Sequence, residues 1–457
     1  MKNIKKQNLI IGICLLATFA IFFIATLLFE KERPQVRLKH LPDYISSKAI
    51  SITVIVKDKD MGIRRIEMEL MQKNKKKLIL KKDFPYKGLL NRKGIHIYKE
   101  EVRFAPSEWG FSDGKLILNI KAWDYSLRNH LKGNYAYLKK EVILDTIPPS
   151  IVPISRLNYF YIGGSGLITY CCSNDTIKTG IYLNKLFFPA YPVKADTKEK
   201  YYVCYIAIPY NLKPPANLYI WAEDKAQNRS IARFYYRIKR KNFGKRKITI
   251  TDNFLKKVLP YFSYLSFPAH NMRDIDKFLY INRNLRKKNN LLIQKLCANS
   301  SKKRLWRGAW QALRGAKCTA KFGDRRSYFY INRLIDRQVH LGIDLASVAN
   351  SPVPASNSGR VLYAGRLGIY GLSVIIDHGQ GIFSLYGHMS RIDVTKGQMV
   401  EKGQVLGLTG QTGLAGGDHL HFSIIINGIF VNPEEWLDYH WLRDNIIRKL
   451  KRIGGKI

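Results

Sequence analysis

The chain has 457 residues, of which 46% are apolar, so it can bury sizeable cores and a largely disordered protein is excluded. Its 77 Lys and Arg against 34 Asp and Glu give a formal net charge of +43. This charge favours polyanions such as acidic wall polymers or anionic lipids, although lysine-rich solvated surfaces alone produce it. No nucleic-acid-binding motif occurs, so we expect no nucleic-acid partner.

The first predicted element is a transmembrane helix over residues 9–29, after a cytoplasmic basic tail of residues 1–8. The run from Leu9 to Phe29 is uncharged, and as a helix it spans about 30 Å, the thickness of a hydrocarbon core. Lysines precede the run, whereas the charges that follow it cancel, which places the N-terminus in the cytoplasm. We expect a single-pass inner-membrane protein with its C-terminal domains in the periplasm or otherwise outside the cytoplasm. The alternative is a cleaved signal peptide, but no small-residue cleavage site precedes Glu30.

Five cysteines follow the apolar run and would face an oxidising space: Cys171, Cys172, Cys204, Cys297 and Cys318. A bridge from Cys297 to Cys318 and one from Cys204 to Cys171 or Cys172 are both possible, and the sequence alone does not fix the pairing. None of these cysteines has C-x-x-C spacing, so we expect no cysteine-ligated zinc site.

Two tandem β-sandwich modules of immunoglobulin-like size are predicted over residues 30–145 and 146–240. Segments rich in β-branched and aromatic residues predict strands at Ser51–Val56, Leu116–Ala122 and Ala136–Leu144. Ala122–Asn129 resembles Ala222–Asn228, about 100 residues later, as expected of a repeated module. We interpret the modules as spacers that hold the C-terminal domain away from the membrane; the alternative is a ligand-binding role.

A helical connector is predicted over residues 241–315. Asp252 is a plausible N-cap, and apolar residues from Ile275 to Leu296 recur at helical spacing. We expect the connector to pack against the last domain. The alternative is a basic amphipathic helix that touches the membrane or the wall.

The C-terminal region combines short strands with histidines. His419-Leu-His421 opens a run that continues to Ile426 and ends at Asn427-Gly428, a hairpin turn signal, so the run is predicted to be a strand. Residues two apart on a strand share a face, so His419 and His421 can reach one small site. His340 and Asp344, four apart in an extended segment, also share a face. Two histidines and an aspartate leave open the fourth position that a catalytic zinc needs for water.

Four motifs in this region resemble the lysostaphin-like endopeptidases, also called LytM domains. They are the segment from Cys318 to Ser347 that contains VHLGIDLAS, SLYGHMS (384–390), VEKGQVLGLTGQ (400–411) and GGDHLHFS (416–423). The resemblance implies a small antiparallel β-sheet peptidase domain over residues 316–440, in a mainly β chain. A basic tail, residues 441–457, follows and is expected to be a fraying helix.

The resemblance also implies the roles of five residues. His340, Asp344 and His421 are then the ligands of one Zn²⁺ per domain, and His388 and His419 are catalytic histidines beside the metal. Which of these two histidines acts as the base is left open. Two further residues, Arg325 and Arg326, are candidates for a substrate groove, with a plain surface role as the alternative. His378 is interpreted as structural.

We therefore expect a zinc metalloendopeptidase that hydrolyses peptide cross-links of bacterial peptidoglycan, with a D-alanyl–diaminopimelate bond preferred. The expected partners are peptidoglycan peptides, the inner membrane through the helix, and cell-envelope proteins. One alternative is a non-hydrolytic regulator that docks and activates an amidase. Another is an endopeptidase that acts on a secreted protein.

Overall fold

A computed structural model of the protein describes residues 2–193, 200–269 and 271–454. Parts of four predicted segments lie outside these residues: Met1 of the first basic tail, 194–199 of the second module, His270 of the connector and 455–457 of the last tail.

The chain forms two compact units. The first comprises Met1–Pro148 together with Asp224–Asn228, and the second comprises Pro149–Glu223 together with Arg229–Ile457. The candidate site residues all lie in the second unit. The mainly β class predicted from the sequence is confirmed, whereas the tandem pair of sandwich modules stays a prediction.

The first unit begins with a single long helix, Lys2–Leu28. Its Lys6–Leu28 segment is long and apolar enough to cross a membrane, as both membrane anchors and signal sequences are. No side chain of the segment's central apolar window is buried within the protein. The helix therefore gains nothing from packing of the kind that stabilises a core helix.

Two sheets share one hydrophobic core in the first unit. A three-stranded sheet has the order Gln35–Lys39, Ile50–Lys57, Ile97–Phe104. A five-stranded sheet has the order Tyr44–Ile45, Tyr135–Leu144, Gly114–Asp124, Ile63–Gln72, Lys75–Asp83. Alternate residues of both sheets, such as Val54 and Met68, are fully buried in one cluster. The three strands predicted in this region are confirmed. Short helical segments lie at Leu89–Asn91, Pro106–Trp109 and Arg128–Leu131.

The second unit opens with three small sheets. One four-stranded sheet has the order Tyr191–Val193, Lys200–Ala207, Ser165–Cys172, Ile151–Pro153. Another has the order Leu186–Pro189, Thr176–Leu183, Leu218–Asp224, Arg229–Ala232. A two-stranded parallel sheet joins Tyr159–Tyr161 and Arg237–Lys239.

An eight-stranded sheet dominates the C-terminal half. Its strands run in the order Lys317–Ala320, Ile343–Ala346, Leu420–Ile426, Ile382–Met389, Leu372–Gly379, Gly359–Arg366 and Met399–Val400, and Ile429–Val431 pairs beside Leu420–Ile426. A three-stranded sheet contains Pro352–Pro354, Val405–Leu408 and Arg391–Ile392, and another contains Lys245–Ile250, Arg325–Tyr330 and Arg333–Val339. Asn427 and Gly428 both have positive φ, as the predicted Asn-Gly hairpin requires.

The connector is only partly helical. Its first element is the strand Lys245–Ile250, which pairs parallel with Arg325–Tyr330. Helical segments follow at Asp252–Val258, Leu259–Phe262, Asp274–Tyr280, Ile281–Leu285 and Arg286–Leu296. Outside the connector, a short helical segment at Gly368–Tyr370 joins two strands of the eight-stranded sheet. The predicted N-cap is wrong by one residue: Thr251 caps the first helix through Oγ1, which accepts from the backbone N–H of Phe254.

The last helices pack onto the second unit, so the prediction of a fraying tail is wrong. They are Pro433–Leu437, Tyr439–Leu442, Arg443–Ile447 and Arg448–Arg452. Leu442, Ile446 and Leu450 are buried in the same hydrophobic cluster as residues of the strand Ser165–Cys172. The Trp436 indole N–H donates to Ser165 Oγ at 2.9 Å. Residues 149–223 and the C-terminal sheet therefore share one core.

The suggested disulfides are absent from the described residues. Cys204 lies opposite Ile168 on paired strands, so Cys171 and Cys172 are three and four residues further along. Three residues of strand span about 10 Å, beyond the reach of a disulfide. Cys297 is buried whereas Cys318 is exposed, and they form no bridge either.

Candidate functional site

Three neighbouring strands of the eight-stranded sheet bring together the predicted site residues. Asp344 and His421 are direct cross-strand partners, and Gly387, which precedes His388, is the partner of His421 on its other side. His340 directly follows the strand Arg333–Val339 of a different sheet. The segment from His340 to Asp344 is thus a link between two sheets and not the single extended run that was expected.

Gly342, within this link, has no room for a side chain. A Cβ there would lie 2.6 Å from His421 Nε2, from the carbonyl oxygen of Phe422 and from Ser423 Oγ. Glycine is needed at this position so that the link can pass close to the strand that carries His421. The close approach holds His340 within reach of the other two residues.

Three donor atoms converge on one point. His340 Nε2 and His421 Nδ1 each lie 2.9 Å from Asp344 Oδ1, and they lie 3.0 Å from one another. All three side chains are at most partly exposed, with His340 and His421 buried. These three residues form a group whose ligand atoms could hold one metal ion.

The His340 and His421 rings each form a hydrogen bond through the nitrogen that faces away from Asp344, and this bond fixes which nitrogen carries the proton of the neutral ring. His340 Nδ1 lies 3.0 Å from the carbonyl oxygen of Lys321, which only accepts, so Nδ1 donates and Nε2 is left as a lone pair. His421 Nε2 lies 3.0 Å from Ser423 Oγ, and that hydroxyl donates onward to the carbonyl oxygen of Leu341. In a neutral ring, His421 Nδ1 is therefore also a lone pair, so each histidine in its neutral form presents an unprotonated nitrogen beside a carboxylate oxygen.

The protonation states suit metal binding. Burial lowers the pKa of His421 to about 4, so its ring is neutral near neutral pH. Burial alone would raise the pKa of Asp344, but the neighbouring histidines, His340 above all, hold it well below its ordinary value. A neutral imidazole and an ionised carboxylate are the forms that bind metals.

His388 and His419 form a second pair beside this group. Their ring centroids are 4.8 Å apart, and the His388 ring is 5.8 Å from that of His421. His388 Nδ1 donates to the carbonyl oxygen of Thr412 at 2.8 Å, and His419 Nδ1 donates to that of Gly417 at 2.9 Å. The Nε2 atom of each ring is left available, and that of His419 lies 3.6 Å from Asp344 Oδ1.

The surroundings of this second pair differ. Burial lowers the pKa of His388 well below its ordinary value, with added repulsion from His419 and His421. Burial opposes the charged form of His419 as well, but the carboxylate of Asp344 raises its pKa above the usual value. His388 also has a φ of +62°, a conformation uncommon outside glycine and frequent at functional sites.

The two candidate groove arginines differ in position: Arg326 lines the cavity and Arg325 does not. Arg326 Nη2 donates to Asp344 Oδ2 at 2.8 Å, so it binds the carboxylate oxygen that faces away from the histidines. Arg325 is exposed and does not line the cavity, because neighbouring strand residues point to opposite faces. Likewise His378 lies away from the site: it is fully buried, and its ring nitrogens bond Ser358 O and Ser384 Oγ.

The five histidine and aspartate residues line a cavity of about 350 Å³. Its other walls include residues of the connector that sequence reasoning did not assign to the site: Arg246, Lys247, Ile248, Ile250, Phe254, Phe278 and Arg286. Tyr370, also unassigned, packs its ring 5.3 Å from that of His421. Ser423 was missed as well, although its place two residues after His421 on one strand puts it on the same face.

A mainly β domain in which the ligand atoms of two histidines and one aspartate converge, beside a second histidine pair, offers the ligand types that zinc binds in proteins. The family model of Peptidase family M23 matches residues 338–433, so the C-terminal part of this chain carries an M23 (LytM-type) peptidase domain. The resemblance to lysostaphin-like peptidases is thereby confirmed.

Three relatives share this region. The DD-carboxypeptidase/endopeptidase Mpg of Neisseria meningitidis is 43% identical over 96 residues, 21% of this chain and 22% of that protein. The peptidoglycan DD-endopeptidase ShyA of Vibrio cholerae is 36% identical over 116 residues, 25% of this chain and 26% of that protein. The murein hydrolase activator EnvC of Escherichia coli is 38% identical over 96 residues, 21% and 23% of the two chains. The chain spans about a quarter of the length of these relatives.

Proposed function

We propose that the protein is a zinc-dependent endopeptidase that hydrolyses peptide cross-links of bacterial peptidoglycan. The observation that carries the proposal is the convergence of two imidazole lone pairs and one carboxylate oxygen at 2.9–3.0 Å. Such atoms repel one another unless a cation lies between them. Donors around a tetrahedral zinc ion, with bonds of about 2.0–2.1 Å, lie roughly 3.3 Å apart, within a few tenths of an ångström of these separations.

His340, Asp344 and His421, which all line the cavity, would hold the zinc ion. Zinc bound there supplies Lewis acidity, which activates water near neutral pH and polarises the scissile carbonyl. Arg326 keeps the Asp344 carboxylate oriented through Oδ2 and leaves Oδ1 for the metal. The Lys321 carbonyl and Ser423 hold the two rings in the tautomers that zinc requires.

His388 and His419 would carry out proton transfer. Water adds its oxygen to the carbonyl carbon, the C–N bond breaks, and one proton passes from water to the departing amine. The Nε2 atoms of the two rings are placed to accept that proton or to donate a hydrogen bond to the developing oxyanion. We propose that the two histidines together fill these two roles, and either ring can take either role.

The charge of the cavity supports an acidic peptide substrate. Arg246, Lys247, Arg286 and Arg326 line it. Arg246 is paired with Asp324 and Arg326 with Asp344, so Lys247 and Arg286 are the cations not paired with an aspartate. Peptidoglycan stem peptides carry free carboxylates, which guanidinium groups bind well. The name of the Vibrio relative, a peptidoglycan DD-endopeptidase, supports the same substrate class.

Digestion of purified peptidoglycan sacculi by the full chain in detergent tests the proposal. We expect cross-linked muropeptides to be converted to monomers, as measured by mass analysis, which also identifies the bond cleaved. A zinc chelator should abolish the conversion and added Zn²⁺ should restore it. Sacculi left intact by the zinc-loaded chain would contradict the proposal.

The relative named as a murein hydrolase activator keeps a second function open. In that case the groove would dock an amidase and no peptide bond would be cut. Addition of a peptidoglycan amidase to the sacculi distinguishes the two functions. An activator accelerates release by the amidase and releases nothing alone.

Replacing Arg326 by alanine is expected to weaken zinc binding about 10–100-fold, because an outer-shell partner of a ligand is lost. Arg325→Ala is the matched control, since its side chain is a neighbour in sequence but does not line the cavity. Competition with a zinc-binding dye measures both affinities. Equal affinities for the two variants would contradict the role given to Arg326.

We also propose that the helix Lys6–Leu28 spans the inner membrane and leaves the peptidase domain in the periplasm. The lysines before the helix support this orientation. A phosphatase reporter that is active only outside the cytoplasm, fused after Phe29, is expected to be active. An inactive reporter that is present at normal levels would mean that the chain after Phe29 lies in the cytoplasm, contrary to the proposal.

A further inference from the structure

Three buried carboxylates meet in the first unit, far along the chain from the histidines. They belong to Glu30, just after the long helix, Asp58, at the end of a strand, and Asp124, at the end of another. One carboxylate oxygen from each lies within 4.8 Å of the others. Their exposed fractions are 8%, 6% and 0%, so water screens their mutual repulsion little.

No Lys or Arg side chain of the described residues neutralises this group. Among the described residues, none of the three carboxylates forms an ion pair, although the chain carries 77 Lys and Arg. Glu30 Oε2 is buried and has no hydrogen-bond partner in the described part of the chain. Unpaired buried charge is costly, so the arrangement calls for a counter-ion.

The pKa values of the three carboxyl groups reflect their burial close to one another. Burial, followed by the nearby carboxylates of Asp60 and Asp58, raises the pKa of Glu30 to about 8. Burial also raises the pKa of Asp58 to about 6 and that of Asp124 above its ordinary value. A bound cation would favour the ionised forms of all three.

The backbone holds the carboxylates in fixed positions. Glu30 Oε1 accepts from the N–H of Met61 at 3.2 Å, and Asp58 Oδ1 accepts from that of Gly62 at 2.6 Å. Asp124 Oδ1 accepts from the N–H groups of Ser126 and Asn134. Since every carboxylate is held by backbone donors, the group is preorganised and is not a chance meeting of flexible side chains.

Part of this arrangement occurs twice. Asn134 donates through Nδ2 to Asp124 Oδ2 at 2.9 Å and to the carbonyl oxygen of Glu30 at 3.1 Å. Asn228 donates in the same way to Asp224 Oδ2 at 3.0 Å and to the carbonyl oxygen of Asp145 at 2.7 Å. Asp124 and Asp224 are also the equivalent residues of the sequence repeat. In both places an asparagine amide joins an aspartate carboxylate to the backbone carbonyl of another acidic residue, so this geometry is repeated within the protein.

We propose that Glu30, Asp58 and Asp124 bind a divalent cation, with Ca²⁺ as the best fit. The donors are all carboxylate oxygens, which suit hard cations and not the zinc of an imidazole site. Ca²⁺ accepts six to eight oxygens in flexible geometry, so water can complete the shell. Bound here, the ion ties the chain just after the long helix to the ends of two strands.

Calcium binding to the full chain in detergent, measured by calorimetric titration after EGTA treatment, tests this site. We expect Glu30→Gln to lower Ca²⁺ affinity at one site by more than about 10-fold, the smallest loss usual even for an outer-shell partner. Glu32→Gln is the matched control, because Glu32 is exposed and two residues away, and it should bind Ca²⁺ as the unaltered chain does.

Thermal unfolding of the same proteins distinguishes a metal site from a purely structural role. Without Ca²⁺, Glu30→Gln should be close in stability to the unaltered chain, because the raised pKa of Glu30 leaves its carboxyl largely protonated and uncharged near pH 7. With Ca²⁺, only the unaltered chain and Glu32→Gln should gain in melting temperature. Equal Ca²⁺ binding by Glu30→Gln and the unaltered chain, or no binding of Ca²⁺ by either, would overturn the proposal.

Discussion

His421→Ala is expected to lose both bound zinc and peptidoglycan turnover. The substitution removes one of three protein bonds to the metal, and Asp344 and His340 alone form a site of much lower affinity. Activity should fall to the level of the chelated protein. Elemental analysis of the purified variant, beside muropeptide release, measures both properties.

His440→Ala is the matched control for this experiment, since His440 is exposed and does not line the cavity. It should keep zinc and activity. A thermal unfolding curve for each variant establishes that the protein is folded. If folded His421→Ala retained zinc and turnover, the proposed ligand set would be wrong.

His419→Ala and His388→Ala are expected to separate metal binding from turnover. Both variants keep His340, Asp344 and His421, so zinc content should remain near one per chain. Turnover should fall by roughly 10²–10⁴-fold, the usual contribution of a positioned acid or base. The measurements are those used for His421→Ala, which allows the three variants to be compared directly.

Two results would contradict this division of roles. Loss of zinc from His419→Ala with retention by His421→Ala would mean that His419 is the metal ligand and His421 the catalytic residue. Unchanged turnover in both His388→Ala and His419→Ala would show that neither histidine takes part in proton transfer.

The strands of the site could be predicted because their local signals agree. The run from Leu420 to Ile426 ends in three isoleucines, and the Asn427-Gly428 turn after it has the positive φ angles that its sequence favours. The alternation of side chains then put His419 and His421 on one face. These rules act over a few residues, so a single sequence is enough to apply them.

The features that sequence reasoning missed depend on contacts between distant segments. Lys449 donates to the carbonyl oxygen of Leu167, 282 positions earlier, which a basic tail does not reveal. The strand Lys245–Ile250 pairs with Arg325–Tyr330, and this pairing brings Arg246 to the cavity. The partners of His340, His388 and His419 are backbone carbonyls, and no residue type marks those.

The rings of the site are fixed by the main chain, and this has a consequence for stability. Rotamer freedom of the histidines is lost when the sheets form and not when an ion arrives, so metal binding proceeds with little reorganisation. The folded, ion-free chain already keeps the two rings and the Asp344 carboxylate within 3.0 Å of each other. A metal that binds this folded arrangement and not the unfolded chain therefore stabilises the fold, and the gain grows with the concentration of free metal.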